Sequence, residues 1–208
     1  MKKWYMALGL GLVALILVGV TMVTPWYSIS ETTGSIERKE MFTLFEVRSE
    51  YNDESGSDSD TQGWDVMKTI PETASVFNIT LYLIMGAFIL LILFIILLYL
   101  ASTEKLAFKA SGIVALGAML LLIISPLYMM VALPAALEKD RMPEYSESFF
   151  GSEGGSDWGG DIGWFAALIA FVVTLVSGFV TLRLKNQKPA SPSEYQEDKK
   201  KAINEDMG

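Results

Sequence analysis

Four long stretches without a charged residue organise this chain: residues 4–30, 73–103, 110–137 and 162–182. A helix rises about 1.5 Å per residue, so about 20 residues cross roughly 30 Å of bilayer hydrocarbon, and every stretch is long enough. The pattern predicts membrane-spanning helices over about 4–27, 76–101, 106–135 and 162–183, with loops 28–75 and 136–161 between them. Together they form one transmembrane domain over residues 1–185. Residues 186–208 mix both signs of charge around Pro189 and Pro192 without an apolar stripe, which predicts a disordered tail.

The spans differ in their faces. Ala166, Ala170, Thr174 and Gly178 recur at four-residue steps along the fourth, Ala7 and Gly11 along the first, and Ala107, Ser111 and Ala115 along the third. Small side chains at that spacing let another backbone approach closely, as bundle packing requires. The second span, with ILLILFIILLYL at its middle, is bulky all round and predicts the larger lipid contact. The third is long enough to protrude, and Pro126 and Pro134 predict a kink or an end because proline lacks an amide donor. Trp26, Tyr27, Trp158 and Trp164 near one set of span ends, and Trp4 and Tyr5 at the other, read as interfacial anchors.

Charge orients these spans. Lys2, Lys3, Lys105, Lys109, Arg183, Lys185 and Lys188 all fall on one side, which the positive-inside tendency makes cytoplasmic, along with both termini. The other side receives residues 31–72, with 11 acids against 4 bases, and residues 138–161, with 7 acids against 2. The net charge of −8 is therefore one-sided. An anionic outer surface argues against nucleic acid as a partner. The opening MKKWYMALGLGLVALILVGV reads as a retained helix rather than a cleaved signal, because its apolar run is too long and no A-x-A-like site precedes Pro25.

The first outer loop is divided. Residues 26–48 are rich in β-branched and aromatic types, with a turn at Thr33-Gly34, and predict two or three strands; FTLFEV continues the alternation through Phe42 and Leu44. Residues 49–63 lose every aliphatic side chain, become acidic and Ser/Gly-rich, and predict a mobile segment.

The residue inventory speaks against catalysis. With 0 His and 0 Cys, the commonest general base, the thiol nucleophile and any disulfide are absent. No phosphate-binding or dinucleotide-binding glycine motif occurs. Transport usually places ionisable groups inside the bundle, and the spans have none. Thr21, Ser125, Tyr128, Thr174 and Ser177 leave an oligomeric pore, or a bound lipid or small molecule, as the alternative function. The one metal-like pattern is Asp58, Asp60, Gln62 and Gly63, which follows the opening of an EF-hand loop, with Asp65 close behind. It predicts at most weak calcium binding, about 10⁻⁴–10⁻³ M, because position twelve is Thr69 rather than glutamate.

Four spans with both ends inside, a first outer loop about twice the length of the second, an elongated third span and Trp26 followed by strand-like sequence resemble the claudin and peripheral-myelin-protein superfamily. That family's first loop carries a W…G-L-W…C…C pattern. Trp26 matches its first position, MFTLFEV stands near the G-L-W, and the second tryptophan and both cysteines are missing. The resemblance implies an outer antiparallel sheet packed over the bundle, acting in adhesion, barrier formation or regulation of partner membrane proteins. The expected fold is thus all-α with a small β element: a four-transmembrane-helix bundle, both termini cytoplasmic, with a short antiparallel extracellular sheet. The expected role is non-enzymatic, in a multi-pass protein of the cell membrane whose partners are lipid, other membrane proteins or its own copies, with no cofactor beyond the weak calcium site.

Overall fold

The computed structural model describes residues 3–53, 56–64, 68–103 and 107–184. Four helices, each long and apolar enough to cross a membrane, run as α1 (Lys3–Val23), α2 (Pro71–Ser102), α3 (Phe108–Lys139) and α4 (Ile162–Leu182). They pack as a ring, α1 on α2, α2 on α3, α3 on α4 and α4 back on α1. The small stripes are where this closeness occurs. Ser111, Ala115, Ala170 and Thr174 are fully buried, and a methyl placed on Gly178 would come within 3.3 Å of the Ala115 Cβ. Ser177 Oγ donates to the Ala7 carbonyl at 2.9 Å and ties α4 to α1. On α2, a single stripe through Phe77, Ile84, Leu91 and Leu98 is buried, while Tyr82, Ile89, Ile96 and Tyr99 remain exposed, as its bulk suggested.

At 32 residues, α2 and α3 are each about 48 Å long, whereas the 21 residues of α1 and α4 reach about 32 Å. The helices finish level at one end. There Gly112, early in α3, faces Leu182 at the end of α4, and Gly11 lies under the Phe94 ring. The excess length therefore projects at the opposite end, where the chain forms its sheet.

Six antiparallel strands make that sheet: β1 (Tyr27–Thr33), β2 (Ile36–Phe42), β3 (Glu46–Asp53), β4 (Gly56–Gly63), β5 (Gly151–Glu153) and β6 (Ser156–Gly160), in the order β4-β3-β2-β1-β6-β5. The β1–β6 pairing, Tyr27 with Gly160 through Glu31 with Ser156, joins the two inter-helix loops into one surface. Gly34, at φ 64°, supplies the left-handed residue of the β1–β2 turn expected at Thr33-Gly34.

Trp26 fastens sheet to bundle. Its ring is fully buried, its Nε1 donates to the Thr21 carbonyl at 2.6 Å, and its backbone accepts from Asp161 N at 3.0 Å and donates to the Phe42 carbonyl at 2.8 Å. One residue thereby holds the end of α1, the end of β2 and the start of α4. Beside it, aromatic rings fill the boundary between layers. Phe42 and Trp64 stack on Phe77 of α2 at 5.9 and 4.8 Å, Tyr27 meets Phe149 at 5.4 Å, and Phe149 meets Trp164 at 5.6 Å.

The projecting ends of α2 and α3 are clasped together. The Asp140 carboxylate accepts from Thr73 N at 2.7 Å and Glu72 N at 3.2 Å, so the residue ending α3 caps the N-terminus of α2, and Lys139 pairs with Glu72 at 3.6 Å. The carboxylate satisfies orphan amides and complements the helix dipole there. Arg141, at φ 65°, closes α3, with Met142 N bonded to the Leu137 carbonyl and Arg141 N to that of Glu138. A non-glycine residue in that conformation costs roughly 1–2 kcal/mol, offset by the contacts it directs. We expect Asp140→Ala to cost about 1 kcal/mol, the loss of a helix cap. Chemical unfolding in detergent checks this, and Asp140→Asn should retain most of the effect.

Several sequence expectations change. The first span stops at Val23, not 27, because Pro25 and Trp26 turn the chain into β1, and the second starts at Pro71 because Asp140 caps it from across the bundle. Both prolines of α3 are accommodated within one helix ending at Lys139, beyond the expected 135. Trp26, Trp158 and Trp164 are at most 9% exposed, so they pack inside the protein rather than anchor it in lipid. The acidic stretch 49–63 is not loose. Its described part pairs from Glu46 with Gly63 to Asp53 with Gly56, because the Asp53 side chain accepts from Gly56 N and starts a hairpin whose ladder is backbone alone. FTLFEV breaks after Phe42, at a turn that buries Leu44 and exposes Phe45. The expected tail, 186–208, and Asp65 lie outside the described residues.

Candidate binding groove

Alternation along β1 places Tyr27, Ile29 and Glu31 on the face turned to the helices, and the register sets Phe42, Glu40 and Arg38 of β2 beside them. The first cross-strand pair, Tyr27 and Phe42, is apolar and fills the boundary core; the last, Glu31 and Arg38, is charged. Below this row, the chain leaving the Arg141 turn forms a short 3-10 turn, Pro143–Tyr145. Two adjoining cavities of about 130 and 310 Å³ lie between them and share Glu31, Glu144 and Tyr145. Ile29, Arg38, Glu40 and Met142 line the first, while Glu153, Ser156 and Trp158 line the second.

Tyr145 is the centre of this groove. It is 5% exposed, its hydroxyl donates to the Glu31 carboxylate, and its ring meets Trp158 edge-on at 5.5 Å. Trp158 is held in turn by Nε1 donating to the Ser148 carbonyl at 3.0 Å, and Gly151 is required beside it, since a methyl there would lie 2.1 Å from the indole. Burial first, and then the Glu31 bond, push the Tyr145 hydroxyl well above its ordinary value, so it remains a protonated donor at neutral pH. Burial also raises Tyr27, whose hydroxyl is enclosed without a partner. On the other wall, Arg38 pairs with Glu40 at 2.5 Å, and among the described residues Glu31, Glu144 and Glu153 form no ion pair.

Chemically, the recess offers carboxylate acceptors, aromatic walls and one protonated hydroxyl, that of Tyr145, already engaged with Glu31. Ammonium or guanidinium groups suit it, through charge-assisted hydrogen bonds and ring faces. Charge counting took Glu31 and Glu40 only as acids of the first outer loop, and nothing in the sequence singled out Tyr145. One signal was present in the sequence: Glu31 follows Tyr27 and Ile29 at strand spacing, a charge on an otherwise apolar face.

The residues expected to hold calcium are arranged differently. Asp58, Asp60 and Gln62 lie along β4, where extended geometry separates alternate residues by nearly 7 Å instead of curling them around an ion. Asp58 Oδ1 accepts from Ser59 N, Asp60 Oδ1 from Thr61 N and Asp60 Oδ2 from Gln62 Nε2. Among the described residues, no three acids form a group suited to a metal ion. In the bundle, Thr21, Ser125 and Thr174 give their hydroxyls to carbonyls of their own helices and Ser177 gives its to α1, so these polar groups are spent on packing.

No protein-family model matches the chain, and no curated protein matches it.

Proposed function

We propose that the sheet faces outward from the cell membrane and docks other membrane proteins, giving this multi-pass protein a non-enzymatic structural, adhesion or accessory role. The observation that carries the reading is the groove at Tyr145. It is built by both loops together, is lined by Glu31, Glu144 and Glu153, and is mounted through Trp26 and the aromatic boundary on four apolar helices. Its occupant is a basic side chain of a partner. An antiparallel sheet over a helix bundle, entered at Trp26, also supports kinship with the claudin and peripheral-myelin-protein superfamily.

With no native cysteine, the test is direct. Single cysteines replacing Ser59 of β4 and Ser152 of β5 should react with an impermeant thiol reagent in intact cells, and one replacing Ser102 at the end of α2 should not. A crosslinker on the Ser152→Cys site should then join a discrete partner, and the product should diminish when Glu31 and Glu153 become glutamine. Labelling only at Ser102→Cys would reverse the orientation, and crosslinking indifferent to both glutamates would remove the groove from the interaction.

A further inference from the structure

The sheet ends in β4 on one side and in β5 on the other, and the two edges differ. β5 is 3 residues long, too short to template another strand. β4 runs for 8 residues without proline, lysine or a break in register, and all but its last residue are exposed. An edge of that kind offers unpaired amides and carbonyls to any strand that meets it, a second copy of the same chain first of all.

The register identifies the groups in question. Trp64 N donates to the Phe45 carbonyl, and in an antiparallel ladder that bond flanks a pair, Glu46 with Gly63, which exchanges no bonds of its own. The alternation then runs back along the strand: Gly56, Asp58, Asp60 and Gln62 exchange bonds with β3, while Ser57, Ser59 and Thr61 turn their N–H and C=O groups to the free side. Two of those outward amides are already taken. Asp58 Oδ1 accepts from Ser59 N and Asp60 Oδ1 from Thr61 N, each at 2.9 Å. Gln62 Nε2 donates to Asp60 Oδ2 at 3.0 Å and holds that carboxylate in position. A strand adding at the usual spacing of about 4.8 Å must bring its carbonyl oxygens to the amides these carboxylates cover. It would have to displace charge-assisted bonds, and its carbonyls would meet carboxylate oxygen instead of N–H. The outward carbonyls remain free, but acceptors alone cannot build a ladder.

We propose that Asp58 and Asp60 close the β4 edge to strand addition, so that copies of this protein do not join sheet to sheet. The inference rests on β4 alone and is independent of what the groove binds. The Asp-x-Asp spacing that resembles the opening of an EF-hand loop thereby serves the strand: extended backbone turns every second amide outward, so aspartates two apart cover successive outward amides.

The native chain has no cysteine, so Ser59→Cys at the middle of β4 reports edge pairing, because in an antiparallel contact centred there it opposes its own copy. The full chain carrying it is purified in detergent, oxidised and compared with two double variants. Asp58→Asn with Asp60→Asn removes both charges and keeps a side-chain oxygen for each amide, whereas Asp58→Ala with Asp60→Ala removes both. The Ala pair should give a disulfide-linked dimer and a doubled protein mass in light scattering. The Asn pair, like the parent, should give neither. Equal association of the Asn and Ala pairs would assign the effect to charge repulsion and overturn the capping. A monomeric Ala pair with the parent's unfolding midpoint overturns it too, as does a disulfide-linked dimer of the parent or an Ala pair that associates without the disulfide. Asp60→Ala alone, which frees Thr61 N, should give a weaker dimer band, and a monomer there decides against the proposal even where the double variant does not fold.

Discussion

Trp26→Ala will remove about 3–5 kcal/mol of stability, the range for deleting a buried aromatic side chain, from a protein whose whole margin is on the order of 5–15 kcal/mol. The side chain is fully enclosed, and its loss empties the junction of α1, β2 and α4 while leaving the Thr21 carbonyl without its indole donor. Neighbouring groups cannot close the gap, because Gly163 N is bonded to the Pro25 carbonyl at 2.7 Å and fixes the α4 N-terminus in place. The same junction fails from the opposite direction. A methyl on Gly163 would stand 2.6 Å from Trp26 Cδ1 and 2.9 Å from the Pro25 carbonyl, and the latter is backbone that cannot swing aside. Gly163→Ala should therefore destabilise as well, through overpacking, by about 1–3 kcal/mol. Denaturant titration in detergent measures both. If Trp26→Ala unfolded with an unchanged midpoint, the junction would be ornamental and the sheet would be held by its other contacts.

Phe77→Ala will have an effect of similar size, about 3–5 kcal/mol, but a different reach. Phe77 is fully buried, and Phe42 and Trp64 both stack on it, so one truncation removes the surface through which β2 and the end of β4 rest on α2. Each ring pair adds about 0.5–1.5 kcal/mol beyond area burial. Hydrogen exchange should show the consequence locally: amides of β3 and β4 lose protection, while those of α1 and α4, held by their own interface, keep it. In the parent protein, the amides of residues 49–53 should be protected although their sequence reads as a loose acidic segment. Equal loss of protection in every helix would show that the two layers unfold as one unit.

The helices were legible in the sequence because their determinants are local. A charge-free run sets the length, the bilayer sets the requirement, and four-residue spacing of Ala166, Ala170, Thr174 and Gly178 sets a packing face before any neighbour is known. The β1–β2 hairpin was legible for the same reason, since Gly34 and the β-branched types flanking it act over a few residues. Even so, the sequence could not say which small stripe met which helix. In the fold these stripes meet one another inside the ring.

What only the tertiary structure decided are the features whose partners are distant in the chain. The end of α2 depends on Asp140, nearly seventy residues on. Trp26, Trp158 and Trp164 had the composition of interfacial anchors, but pairing of β1 with β6 encloses them. The acidic segment 56–63 has no apolar side chain to announce a strand, and its order comes from a ladder of backbone bonds to β3, which composition does not record. The groove, finally, exists because Glu31 arrives from the first inter-helix loop and Tyr145 and Trp158 from the other. A sequence specifies the period and solvent of each segment through contacts within a turn or two; the meeting of loops is set by pairing and packing across the whole chain, where each local choice is one term among many.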